Sequence, residues 1–353
     1  MKIKFLSIAA VTVLLANSLV FAATDTRSSI LIKKRASARL VSLLPQSDGI
    51  AVIDSKRFLD DALPNVLSAN QPMLAEVMSK VKEMETKTGI DLRKFNQLTV
   101  GVAMKQVTPT EVDYETVAIA SGDVDVASVV AAAKAASKGP VREEKIGTRT
   151  IYIFSGKDLA AQAPAAPANG KLAAAVDKLI AGMGKKEVAI SSYDSSTLVI
   201  GMPERVRQTL LDSKAKNDAD VRSLLPAGGT SVFAFAFRTN GMLGKLLPLD
   251  ADMLGANLSS IQYLTGSMDV VAGTTSVQAM ARTKKPEQAA DLKTTLEGLQ
   301  MVGKAFLGGS KRQDQQVYGR MLQNVKFAAR GTDVTLELAV PQADIDILIG
   351  GLK

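Results

Sequence analysis

Ser42-Leu43-Leu44-Pro45 recurs as Ser223-Leu224-Leu225-Pro226, and this recurrence decides how the chain is divided. Each copy runs into a short apolar strand pattern, Ile50 to Asp54 and Ser231 to Phe237. Each strand then leads to a related segment, Phe58-Leu59-Asp60-Asp61-Ala62-Leu63-Pro64 and Met242-Leu243-Gly244-Lys245-Leu246-Leu247-Pro248, in which an aromatic or Met and a Leu precede a Leu-Pro. The ends correspond as well. Thr197-Leu198 through Met202-Pro203 matches Thr335-Leu336 through Val340-Pro341, with Pro at the start of a helix, where its missing N–H costs nothing. The first motif repeats at an offset of 181 residues and the last at 138, so the first unit carries a surplus of 43.

That surplus has a place. Glu143 to Phe154 reads as an extra hairpin around Gly147-Thr148, and Gly156 to Lys171 is an Ala/Pro-rich insertion of low complexity, expected to be mobile. Elsewhere both units read strand, helix, helix, strand, strand, helix, hairpin, helix. Met73, Leu74, Val77, Met78, Val81 and Met84 mark one face of a helix, as do Leu292, Leu296, Leu299, Val302 and Phe306 after Pro286. Leu98 to Ala103, Thr116 to Ser121, Met268 to Thr274 and Val277 to Arg282 alternate as strands. Paired strands with short turns favour antiparallel sheet. The expected fold is α+β: two tandem repeat units, 42–221 and 222–353, each a mainly antiparallel sheet with helices on one face.

Lys2 and Lys4 precede an apolar run from Phe5 to Phe21, and Val20-Phe21-Ala22 puts small residues where a signal peptidase reads. Residues 1–22 are therefore expected to be a signal peptide and 23–41 a basic N-terminal segment containing Lys33, Lys34, Arg35 and Arg39. The expected location is exported, periplasmic or secreted, without stable membrane insertion once the signal is cleaved. After cleavage the balance is 41 basic to 35 acidic residues, a net +6. With 15 aromatics in the full chain, mostly at buried-looking positions, this is no basic face interleaved with stacking rings, so no nucleic acid is expected as a partner.

The chain has no Cys, His or Trp. This removes the Ser-His-Asp triad, cysteine nucleophiles, disulfides, and the usual zinc and haem ligands. Several motifs resemble chemistry without supplying it. Gly298 to Gly303-Lys304 has phosphate-loop spacing, but Ala305 replaces the Ser or Thr, and the motif lies in mid-helix. Ser79-Lys80-Val81-Lys82 and Lys87-Thr88-Gly89 echo β-lactam-opening acylases, yet sit together on one helix; Ser213 to Lys216 repeats the first. The carboxylate pairs Asp60/Asp61, Asp123/Asp125, Glu143/Glu144, Asp250/Asp252 and Asp344/Asp346 read as caps or solvated charges. No catalytic residue, cofactor or metal ligand is assigned. Composition argues against an enzyme, a Ser/Lys- or carboxylate-based hydrolase being the remaining catalytic alternative.

One pattern points to a contact. Val117 and Ile119 alternate with Ala118 and Ala120, Val100 and Val102 with Gly101 and Ala103, and Phe233, Phe235 and Phe237 with Ala234 and Ala236. If the bulky residues pack under helices, Ala118, Ala120, Ala234 and Ala236 line a small-residue face, between the units or with a ligand. The signal peptide, the Leu-Leu-Pro start before an apolar strand, and Val340-Pro341-Gln342-Ala343-Asp344 together resemble a group of uncharacterised exported bacterial proteins. That resemblance implies export and carries no activity, catalytic residue or ligand to transfer. The function expected is a non-catalytic envelope protein that binds or scaffolds, its partner an envelope protein of unknown identity, or alternatively a carrier of a small apolar ligand or lipid.

Overall fold

A computed structural model describes residues 38–88, 91–108, 111–157, 186–211, 219–225, 231–239, 257–271 and 273–350. The expected signal peptide, most of the basic segment, the Ala/Pro-rich stretch beyond 157, the Met242 to Pro248 motif, Asp250/Asp252 and Ser213 to Lys216 lie outside the described residues.

Twelve strands form one antiparallel sheet. They are β1 (Gly49–Ile53), β2 (Phe95–Thr108), β3 (Glu111–Gly122), β4 (Arg142–Ile146), β5 (Arg149–Ser155), β6 (Glu187–Asp194), β7 (Thr197–Gly201), β8 (Phe233–Arg238), β9 (Ile261–Val271), β10 (Thr274–Thr283), β11 (Lys326–Arg330) and β12 (Asp333–Pro341). Their spatial order is β11-β12-β10-β9-β8-β1-β2-β3-β7-β6-β5-β4. The fold is thus α+β, and the strands expected in two sheets join at β1 and β8 into one. The extra hairpin is β4–β5, turning at Gly147, whose φ of 58° is the left-handed geometry that a tight two-residue turn requires.

Helices among the described residues include α1 (residues 38–43), α2 (Ser55–Arg57), α3 (Leu63–Val66), α4 (Gln71–Thr88), α5 (Val126–Ala136), α6 (Pro203–Leu210), α7 (Ala219–Ser223), α8 (Pro286–Leu307), α9 (Gln313–Asn324) and α10 (Gln342–Gly350). A π-helical turn, Phe58–Ala62, links α2 to α3. Local chemistry sets their starts: the Asp125 side chain accepts from Ala127 N at α5, while Pro203 and Pro286 open α6 and α8.

Helices were expected on one face of the sheet; they cover both. On one face, Ile53, Phe233, Met268 and Val270 pack with Leu59, Leu63, Val66 and Ile349, and Phe154, Ile190 and Leu198 pack with Val126, Val129 and Val130. On the other face, Ile50, Val117, Ile119, Ile151, Ile153 and Val199 pack with Leu40, Val41 and Leu44 of the first Leu-Leu-Pro region, Val206 and Leu210 of α6, and Val221 of α7. Strands apolar on both sides need two covers, as central strands of large sheets do. The long helix α8 follows its expected face only in part. Leu292 is 1% exposed, but Val302 and Phe306 are 68% and 82% exposed.

Candidate functional site

Strand register decides which side chains meet. One row crosses all twelve strands: Phe327, Leu336, Ala279, Gly266, Phe235, Ala51, Val100, Ala118, Ile200, Ile190, Tyr152 and Glu143. The next row in the central strands runs Ala236, Ile50, Gly101, Val117, Gly201, Ala189 and Ile153, and points to the opposite face.

The four alanines therefore do not share a face. Ala118 and Ala120 lie with Phe235 and Val100; Ala234 and Ala236 lie with Ile50 and Val117. Small and bulky residues alternate between neighbouring strands, and this accounts for their positions. Ala51 separates Phe235 from Val100, Val100 neighbours Ala118, and Gly101 neighbours Val117. Gly266 shows how tight this fitting is: a Cβ there would lie 2.6 Å from Cε1 of Phe235. Ala236 is wholly buried, packed in the cluster that contains α1 and α7 residues. Its small size admits those helices.

Ala118 has a different setting. Phe235, Ala51, Val100 and Ala118 are each only half buried, in the middle of the sheet. Phe235, Ala51 and Leu98 pack with the half-buried Met73, Leu74, Val77, Met78 and Val81 of α4. On the other side Ala120 packs with α5 and Phe154. Helices α4 and α5 touch, and Val100 and Ala118 belong to neither cluster. This apolar strip, with α4 on one side and α5 on the other, is the candidate site.

The support of α4 is specific. Asn70 Oδ1 accepts from Met73 N at 3.2 Å, capping the helix, and the preceding turn is held by α10. Gln342 Nε2 donates to Asn65 O at 3.1 Å, and Ser68 Oγ donates to Asp346 at 3.2 Å. On the outer side of α4, Lys80 pairs with Glu83 and Lys82 with Glu85, i,i+3 pairs of the kind common on solvated helix faces. The Ser79/Lys82 motif sits there, away from the apolar strip.

Three of the carboxylate pairs supply a residue with a structural role. Hydrogen bonds from Ser128, first its side chain, hold the Asp125 carboxyl below the usual carboxylate range. Arg207 forks onto both oxygens of Glu144 at 2.7 Å each, tying α6 to β4, and its hydrogen bond lowers the Glu144 pKa. Arg320 on α9 pairs with Asp344 on α10, and Gly298 to Lys304 lies inside α8 as the sequence indicates. Arg205, 4% exposed, donates to Gln46 O at 2.7 Å and Ser47 Oγ at 2.9 Å; burial lowers its pKa. It anchors α6 to the turn before β1. Among the described residues no group of three or more His, Cys, Asp or Glu is placed to hold a metal ion. No helix among them is long and apolar enough to cross a membrane.

No protein-family model matches the chain, and no curated protein does. Among solved structures, three crystal forms of TP0453 are similar over most of both chains. Form III has 10% identity and a TM-score of 0.42, covering 89% of this chain and 98% of that one. Form IV matches at 10% identity and TM-score 0.42, over 90% and 99%. Form I matches at 9% identity and TM-score 0.40, over 88% and 96%.

Proposed function

We propose that the protein is an exported, non-catalytic envelope protein that binds an apolar segment or ligand along the strip between α4 and α5. The observation that carries this is the half-burial of Phe235, Ala51, Val100 and Ala118 in the middle of the sheet, where strands are ordinarily covered completely. The α4 side of the strip carries Met73 and Met78, which suits an occupant of variable shape, because the unbranched thioether adapts to irregular surfaces. Asp125 caps α5, and Glu144 and Asp344 pair with Arg207 and Arg320, which favours binding over catalysis. Export rests on Lys2, Lys4, the apolar run and Val20-Phe21-Ala22.

A carrier role for a small apolar ligand or lipid is the second reading, favoured by the absence of charged side chains from the middle row between Gly266 and Ile190. Titration with a fluorescent C16 fatty acid separates the two. Saturable binding at one site, lost in Val100→Asp, supports the carrier. A fatty acid that does not bind, with a protein partner crosslinked through a photoreactive residue at Met78, supports the scaffold. For export, N-terminal sequencing should find Ala23 in soluble envelope fractions. An intact Met1 in membranes contradicts that part.

A further inference from the structure

The seam between β1 and β8 pairs Gly49 with Phe237, Ile50 with Ala236, Ala51 with Phe235, Val52 with Ala234, and Ile53 with Phe233. The related segments that begin at Phe58 and Met242 are 184 residues apart in sequence, and adding the same 184 to each β1 number gives 233–237, the β8 residues in the same order. The middle residue of one strand thus faces the middle residue of the other. Every other pair has a mate on the opposite side of that centre. The hydrogen bonds that close the seam follow the same rule. Arg238 N donates to Asp48 O at 2.7 Å, and at the other end Asp54 N donates to Val232 O at 3.0 Å. Residue 48 corresponds to 232 and 54 to 238, so these two bonds are mates. A self-complementary register of this kind is what an isologous interface has, in which one patch meets a copy of itself.

The rest of the sheet agrees. Outward from the seam the first half runs β1-β2-β3-β7-β6, and the second runs β8-β9-β10-β12-β11. These are the same positions in chain order once the β4–β5 hairpin is set aside. A twofold axis normal to the sheet keeps each face on its own side. Leu44 of the first Leu-Leu-Pro motif and Leu224 and Leu225 of the second accordingly join one cluster on one face, over Ile50 and Ala236. The closing helices depart from symmetry: α6 packs on that face, whereas α10 packs on the other, with Ile349 beside Phe233.

We infer that the chain is a joined dimer: two copies of one unit, paired strand to strand through β1 and β8 about a local twofold axis between Ala51 and Phe235. The kind of partner that fits the β1 edge is a second copy of the same unit, and the chain supplies it covalently. The β4–β5 hairpin on one half and the differently placed closing helix on the other are later departures from the shared plan.

The absence of cysteine makes the register directly testable in the full chain. Opposed residues in an antiparallel pair have Cα atoms about 4.5–5.5 Å apart, within disulfide reach. Oxidised Ala51→Cys/Phe235→Cys should shift completely on a non-reducing gel. The symmetry-related variants Gly49→Cys/Phe237→Cys and Ile53→Cys/Phe233→Cys should shift to a similar extent. The displaced pair Ala51→Cys/Phe233→Cys should not. A linked displaced pair together with an unlinked central pair overturns the register. An experimental structure of the full chain is the second measurement, independent of any variant's folding. Superposing β1, β2, β3 and β7 on β8, β9, β10 and β12 should need a rotation close to a half-turn. A different rotation, or a match only after reordering strands, overturns the joined dimer.

Discussion

Ala51 and Phe235 face each other at the centre of the β1–β8 seam, the smaller side chain leaving room for the larger. On that face Phe235 also presses on Gly266, and its ring lies 5.8 Å from that of Phe233, tilted by 33°. Gly266→Ala should therefore destabilise the fold by about 1–3 kcal/mol through overpacking. Phe235→Leu in the same chain should recover part of that loss. Denaturant unfolding of the two single variants and the double variant measures the coupling; strictly additive costs contradict this contact.

Ala236→Leu should cost about 1–3 kcal/mol, because the residue is wholly buried beneath the Leu-Leu-Pro regions. Ala118→Leu, on a half-buried position of the opposite face, should cost less. Thermal melts of both variants test the two environments. Equal losses contradict them.

Phe154 is 1% exposed and packs with Val126, Val129 and Val130 of α5. Phe154→Ala should lose about 3–5 kcal/mol, as a buried aromatic truncated to a cavity does. A loss below 1 kcal/mol in urea unfolding would show that the β4–β5 hairpin contributes little to this core.

Glu144 is held in its charged form by Arg207, with its pKa lowered from 4.5. A carboxyl lowered in the fold adds stability above its unfolded value and loses it as pH falls through the folded value. Glu144→Gln should thus melt lower than the parent at pH 7, and the difference should close on acidification below 4.5. A difference that stays constant into acid contradicts the ion pair's part in stability. The pair is partly solvated, so the effect at pH 7 should be small.

Much of this fold is legible in the chain itself. The two Leu-Leu-Pro motifs precede β1 and β8, Glu143 to Phe154 reads as the hairpin that β4 and β5 form, and Asp125 and Pro286 mark helix starts. The joining of all strands into one sheet was not legible, because β1 carries no mark of which edge it will meet. The candidate strip was half legible. Alternation within β3 and β8 correctly separates Ala118 from Val117 and Ala236 from Phe235. It says nothing of the phase between strands, and a one-residue change of register exchanges faces. Ala118 and Ala236 consequently look alike in sequence yet lie on opposite sides. The exposed end of α8 has a similar cause: helical periodicity defines the face through Phe306, while the extent of sheet beneath it depends on distant strands.

Native mass spectrometry of the protein purified from the cells that make it tests the binding account most directly. The account predicts a retained apolar mass or partner on the chain, lost in Val100→Asp while far-UV circular dichroism still shows the folded sheet. The bare mature mass in both the parent and Val100→Asp, with no fatty acid bound on titration and no partner crosslinked at Met78, would contradict it.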